Sequence, residues 1–297
     1  MPGKTPKRGA KARPTLSYRL LDRLFVPRDR EHIRRTRNLR LIPCEDNRRG
    51  GKLSYAEWAH VIGIFQTLLH LHSVKKTGLE MLDVGCGTGL LGIAAEPLLG
   101  DGGHYVGLDV MEADIEFCRA HYPSPPFEFV HFDIHNPAYA PAQKKAHRPW
   151  PLDDVRFDAV TALSVWTHLN ENDATFYLKE VSRVLRPDGI ALITFFILDA
   201  AYEESVPQRS NARGRYNNTA QDRWIFDRPS YGSDAWFHPQ WARVPEVAIG
   251  VTTAGLDRLL AASGLKIVQH YPGSWKETPG AYFQDVLILA KAGLRTP

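Results

Sequence analysis

Three aspartates stand at the ends of three successive apolar runs. Asp83 lies in Leu79–Val84, Asp109 closes Tyr105–Asp109, and Asp133 follows Phe127–Phe132. After the first run comes Gly85-Cys86-Gly87-Thr88-Gly89, then an apolar stretch from Leu90 to Leu98 with helical character. A strand entering Gly-x-Gly-x-Gly and then a helix lets a ligand approach the backbone closely. A dinucleotide would lay its pyrophosphate on such a turn; S-adenosylmethionine would lay its amino-acid end there. A carboxylate at Asp83 opposes a pyrophosphate and suits an ammonium, although it could also simply cap the turn. Asp109 lies 20 residues past Gly89, where an acid can hold both ribose hydroxyls of either ligand. Asp133 separates the two, because it can accept from an adenine amino group while Ile134 offers its backbone amide.

The elements that position these residues follow from periodicity and punctuation. Leu16–Val26 has leucines and aromatics at helical spacing, with Pro27 expected to end it. Arg28–Arg40 reads as a second basic helix, and Pro43–Lys52 as a loop with a Gly50-Gly51 pair. Ser54 and Glu57 form a capping pair before Trp58, Ile62, Phe65 and Leu69, which recur at three- and four-residue spacing. Strands are expected at 79–84, 105–109, 127–132, 157–163 and 189–197. Helices are expected at 90–98, 112–121 and 173–185, with a polar, Pro-rich loop at 136–151. Leu256–Ala262 is a further helix ended by Gly264, and 265–271 and 282–290 are two closing strands without a helix between them. This alternation predicts an α/β fold: a mainly parallel sheet covered by helices on both faces, with an antiparallel edge. The expected organisation is a basic, disordered tail over 1–15, a helical extension or cap over 16–75, and a core over 76–297 with an insertion at 198–250.

The motifs resemble those of the class I S-adenosylmethionine-dependent methyltransferases of small-molecule type. "LDVGCGTG" is similar to the family's first motif, "GLDVM" to its ribose motif and "FDI" to its adenine motif. "FDAVTALSVWTHL" matches the fourth-strand motif and "VSRVLRPDGIALIT" the entry to the fifth strand. The resemblance runs from about Leu79 to Ala290 and leaves the region before Ser54 outside the family core. It implies a Rossmann-like seven-stranded sheet in the order 3-2-1-4-5-7-6, with the cofactor above the carboxyl ends of strands one to four. It further implies cofactor contacts from Asp83, Gly85, Cys86, Gly87, Gly89, Leu90, Asp109, Val110, Met111, Asp133, Ile134, Leu163 and Ser164.

The implied reaction is an in-line methyl displacement, which asks the protein to align partners and exclude water. A hydroxyl acceptor must also lose its proton to a placed base. His168, just beyond the fourth strand, is the first candidate, and His238 in "DAWFHP" the second. Asp199, Glu203 and Glu204 cluster after the fifth strand, but the fourth strand offers no matching carboxylate, so no metal is expected. The insertion interleaves arginines and asparagines with aromatics, and in similar enzymes this segment covers the acceptor. Trp166, Arg213, Tyr216, Trp236 and Trp275 are therefore the expected acceptor contacts, on a small molecule or a sugar or glycan hydroxyl. The same aromatics would equally make a satellite core.

Residues 1–52 hold 16 Lys and Arg against 5 Asp and Glu, a local charge of +11 in a chain whose net charge is +4. A solvated tail accounts for part of this; attraction to an anionic partner is the functional reading. An RNA or protein methyltransferase using that extension is the alternative function, and a catalytically silent binding protein a third. Against RNA, aromatics before Tyr55 are only Tyr18 and Phe25, and the Asn-Pro-Pro-Tyr-like signature of base amino methylation is missing. No apolar run approaches the ~20 residues needed to span a bilayer, and the basic amino terminus lacks a following apolar segment. Three cysteines, 44, 86 and 118, with no CxxC pair, fit a reducing, cytoplasmic setting.

Overall fold

The computed structural model describes residues 15–142 and 147–293. The expected tail therefore lies, but for Thr15, outside the described residues, as do 143–146 of the long loop.

The amino-terminal region holds two helices, α1 (Leu16–His32) and α2 (Tyr55–His72). α2 starts where the capping pair predicts: the Ser54 hydroxyl accepts from the Glu57 amide at 3.1 Å. Its face of Trp58, Val61, Ile62, Phe65, Leu68 and Leu69 is buried, each side chain contributing about 1.5–3 kcal/mol. α1 departs from expectation by running through Pro27. Asp22 and Val26 are buried before the proline, and Arg30 donates to the Ile42 carbonyl after it. Those anchors outweigh the lost backbone bond. The second basic helix is replaced by the end of α1 and a 3-10 turn, Asn38–Leu41.

The core alternates β1 (Glu80–Val84), α3 (Leu90–Leu99), β2 (His104–Asp109), α4 (Glu112–His121), β3 (Phe127–His131), β4 (Phe157–Ala162), α5 (Glu171–Val184) and β5 (Leu185–Phe195). After the insertion come α7 (Thr253–Ser263), β10 (Leu265–Tyr271) and β11 (Asp285–Lys291). The main sheet has seven strands in the order β3-β2-β1-β4-β5-β11-β10. Counted within the sheet this is 3-2-1-4-5-7-6. β11 runs antiparallel to both β5 and β10, while β1 to β5 are mutually parallel. One apolar layer packs α2, α3 and α4 on one face; another packs α5 and α7 on the other.

The insertion contains β6 (Ile197–Leu198), α6 (Ala200–Ser205), β7 (Arg228–Pro229), β8 (Trp236–His238) and β9 (Gly250–Thr252). Its strands form a second sheet, β6-β9-β8-β7, which sequence periodicity did not reveal. Phe196, Tyr202, Phe226 and Trp275 make a third apolar cluster beside it, with Trp224, Phe237, Trp241 and Phe283 packed on it. Part of the insertion's aromatic set thus forms a satellite core, while Tyr216 and Tyr231 stay exposed.

Candidate active site

The glycine turn is held by β2. The amides of Gly85 and Cys86 both donate to the Leu108 carbonyl, at 2.7 and 3.2 Å. Gly85 has φ +68°, and a Cβ there would lie 2.5 Å from Val165 Cγ2. Gly89 has φ +89°, and a Cβ there would lie 2.5 Å from the Tyr122 hydroxyl. Both therefore require glycine, for backbone sign and for space. Tyr122 in turn donates to the Thr88 carbonyl at 2.9 Å. Cys86 and Leu90 are buried in the adjoining apolar layer.

Asp109 ties the turn to the next helix. One carboxylate oxygen accepts from the Gly87 amide at 2.7 Å and the other from the Met111 amide at 2.8 Å. Burial raises its pKa, and those two backbone bonds oppose the rise. Val110 is half-buried and Met111 exposed at the same strand end. Asp83 is 1% exposed. Its oxygens accept from the Tyr105 hydroxyl at 2.7 Å and the Thr161 hydroxyl at 2.8 Å. Burial pushes its carboxyl up to about 7, against the pull of those hydroxyls. Asp133 is half-buried and Ile134 buried directly after β3. The three acids thus sit at the carboxyl ends of β1, β2 and β3, which are neighbours in the sheet.

Leu163 and Ser164 follow β4. Ser164 has φ +60°, rare for a residue with a side chain. Its amide donates to the Thr194 hydroxyl at 2.7 Å and its hydroxyl to Gln284 at 2.8 Å. His168 lies in the next 3-10 turn. Its Nδ1 donates to the Glu246 carbonyl at 2.7 Å, and its Nε2 accepts from the Tyr139 hydroxyl at 3.1 Å. The Tyr139 hydroxyl is protonated at neutral pH and so is a donor. The insertion therefore orients His168 through one backbone carbonyl. Tyr139 escaped sequence reasoning, because the 136–151 stretch shows no periodic signal and a tyrosine there has no local signature.

The remaining predicted residues are dispersed. His238 sits on β8, 3.1 Å from the Ser230 hydroxyl, with its pKa lowered chiefly by burial. Trp166, Trp236 and Trp275 are 2%, 2% and 0% exposed, packed as core side chains. The indoles of Trp166 and Trp275 donate to the Ala174 carbonyl and the Asp285 carboxylate. Arg213 and Tyr216 are exposed in a loop closed by the Arg213–Ala220 bridge. Asp199 caps α6 and pairs with Lys276 at 2.6 Å, while Glu203 and Glu204 face solvent.

A further contribution comes from the loop read only as a Gly-Gly segment. The Thr88 hydroxyl donates to the Asn47 carbonyl at 2.6 Å. Arg49 bonds Asp114 of α4 at 3.0 Å, and its Cβ is the nearest atom, 3.9 Å, to a Cβ built on Gly87. Residues 47–49 thus roof the turn.

A family model described as "Methyltransferase domain" matches residues 82–193. The ubiquinone biosynthesis O-methyltransferase of Pelagibacter ubique is 29% identical over 39% of this chain and 41% of its own length. The 2-phytyl-1,4-naphtoquinone methyltransferase of Nostoc punctiforme is 30% identical over 42% of this chain and 49% of its own. The fatty-acid O-methyltransferase of Mycolicibacterium smegmatis is 31% identical over 51% of this chain and 44% of its own. The chain thus spans less than half the length of these curated relatives. Among solved structures, the PH0226 protein of Pyrococcus horikoshii shares the fold with a TM-score of 0.51, at 20% identity, over 79% of this chain and 91% of that one. Matched segment, motif set and sheet order define a class I methyltransferase domain. Residues 82–193 match that family, and the motifs and fold around them are those of the S-adenosylmethionine-dependent methyltransferases.

The residues present fit that family's cofactor. Above Gly87 there is space that a side chain would occupy. The Asp109 carboxylate, which the Gly87 and Met111 amides orient, has acceptor capacity beyond those two bonds for ribose hydroxyls.

Proposed function

We propose that this protein transfers a methyl group from S-adenosylmethionine to a hydroxyl of a small molecule. The observation that carries the reading is the constellation of Asp83, Asp109 and Asp133 at neighbouring strand ends around one glycine turn. When bound, the cofactor supplies the electrophilic methyl on its sulfonium. Gly85, Cys86, Gly87, Gly89 and Leu90 admit its amino-acid end, and Asp83 favours the ammonium from beneath. Asp109 holds the ribose, with Val110 and Met111 beside it. Asp133 and the Ile134 amide read the adenine edge. Leu163 and Ser164 line the methyl side.

His168 is proposed as the base. Its Nδ1–H is committed to the Glu246 carbonyl, so Nε2 carries the basic lone pair. Tyr139 already donates a hydroxyl hydrogen to that atom, the contact an acceptor hydroxyl would make or reach through Tyr139. His238 is the secondary candidate. The relatives' names, a quinone, a naphthoquinone and a fatty acid, support a small-molecule acceptor. The burial of Trp166, Trp236 and Trp275 weakens the case for a sugar platform; Arg213 and Tyr216 remain the exposed acceptor candidates. The macromolecular alternative loses some support because part of the extension's positive charge is spent internally. Arg19 and Arg23 bind Asp46, Arg37 binds Glu96, Arg48 binds Asp22 and Arg49 binds Asp114.

The test is incubation with methyl-labelled cofactor and a whole-cell extract, then separation into small-molecule, RNA and protein fractions. Label in a base-stable methyl ether fraction supports the reading. Label confined to RNA or protein, or no transfer to any fraction, overturns it.

A further inference from the structure

Helix α1 is amphipathic in the opposite sense to a core helix. Its inward positions, four residues apart, are Tyr18, Asp22, Val26 and Arg30. Asp22 accepts from both terminal nitrogens of buried Arg48, at 3.0 and 3.1 Å, and from the Glu45 amide at 2.9 Å. Arg19 and Arg23 grip Asp46 from the helix flank. Polar contacts thus fasten the helix to the body. Its apolar residues point the other way: Leu16, Leu20, Leu21, Leu24 and Phe25 are 72, 60, 52, 50 and 55% exposed. At 100° per residue they span one continuous half of the helix, and Glu31 is the one acid on that side. An apolar face of this extent marks an interaction surface.

The preceding 14 residues hold Lys4, Lys7, Arg8, Lys11 and Arg13, no acid, and Met1 as the only large apolar side chain. They offer nothing with which to cover the leucines. An anionic bilayer satisfies both features, with apolar residues entering the boundary below the headgroups and cations meeting the lipid charge. We propose that α1, with the basic segment before it, docks the protein on an anionic lipid surface. Arg28, Arg34 and Arg35 are exposed where the helix leaves the patch and add to the attraction. The same anchors connect α1 to residues 47–49 over the glycine turn, so docking holds that site at the membrane.

The experiment is co-sedimentation of the full chain with phosphatidylcholine vesicles, with and without phosphatidylglycerol. Binding is expected only with the anionic lipid and is expected to weaken with salt. Leu20→Glu combined with Leu24→Glu changes exposed positions, and should lower partitioning about tenfold or more with the far-ultraviolet spectrum unchanged. Removing residues 2–14 should lower it by a similar factor. Binding unaffected by the double variant, or no binding of the parent chain, overturns the proposal. So does a dimer in sedimentation velocity that the double variant abolishes, which would make this face a contact between copies. Cofactor affinity, measured on the same samples, reports separately on the methyltransferase reading.

Discussion

The proposed cofactor side and the proposed acceptor side of this molecule are built on different principles. On the cofactor side, three acids and a glycine turn hang from the ends of adjacent parallel strands, fixed by ladder bonds and three positive-φ glycines. On the acceptor side, one histidine is aimed by a backbone carbonyl from a 3-10 turn in an insertion whose strands are two or three residues long. The first side depends on regular structure; the second depends on long-range contacts between irregular segments. Substitutions should therefore separate binding from turnover.

The largest expected effect is on turnover. His168→Ala should slow methyl transfer by about 100- to 10,000-fold while cofactor affinity stays unchanged; equal loss of both would merge the two sides. Asp109→Ala comes next. It removes a carboxylate that organises the turn and would take two charge-assisted ribose bonds, so affinity should fall by about 100-fold by calorimetry with the fold retained. Unchanged affinity would detach the ribose from Asp109.

A subtler effect is expected at Asp83, whose carboxyl is raised to about 7. Between the unfolded value near 4 and about 7, the folded chain holds a proton that the unfolded chain has released. This group's contribution therefore favours folding below that window and is lost as pH rises through it. Asp83→Asn should flatten that part of the stability–pH curve, read by denaturant titration. An ammonium beside the carboxylate lowers its pKa, so cofactor binding should release protons near pH 7 and tighten as pH rises, and the variant should lose both trends. The smallest effect is expected at Tyr216, 49% exposed. Tyr216→Ala should leave stability within about 0.5 kcal/mol and alter only KM for the acceptor.

The same contrast explains what was legible beforehand. Strands β1 to β5, their acids and the turn are local signals, readable from apolar runs, glycines and caps such as Ser54. The order of the sheet came from the resemblance, since alternation alone leaves several orders open. Four features were not legible. Pro27 reads as a helix end because the contacts that override it, Asp22–Arg48 and Arg30–Ile42, lie 26 and 12 residues apart. The second sheet has strands too short to show a period. Tyr139 gains meaning only when His168 is brought to it across 29 residues. The leucines of α1 have correct helical spacing, but spacing alone does not say which side faces the body.

The central claim is that the glycine turn and its three acids receive a nucleoside joined to an amino acid. Calorimetric titration of the full chain with S-adenosylhomocysteine and, separately, with NAD tests it most directly. Stoichiometric binding of S-adenosylhomocysteine, weakened by Asp109→Ala, with no heat from NAD, is the predicted result. Binding of NAD in its place would contradict the claim.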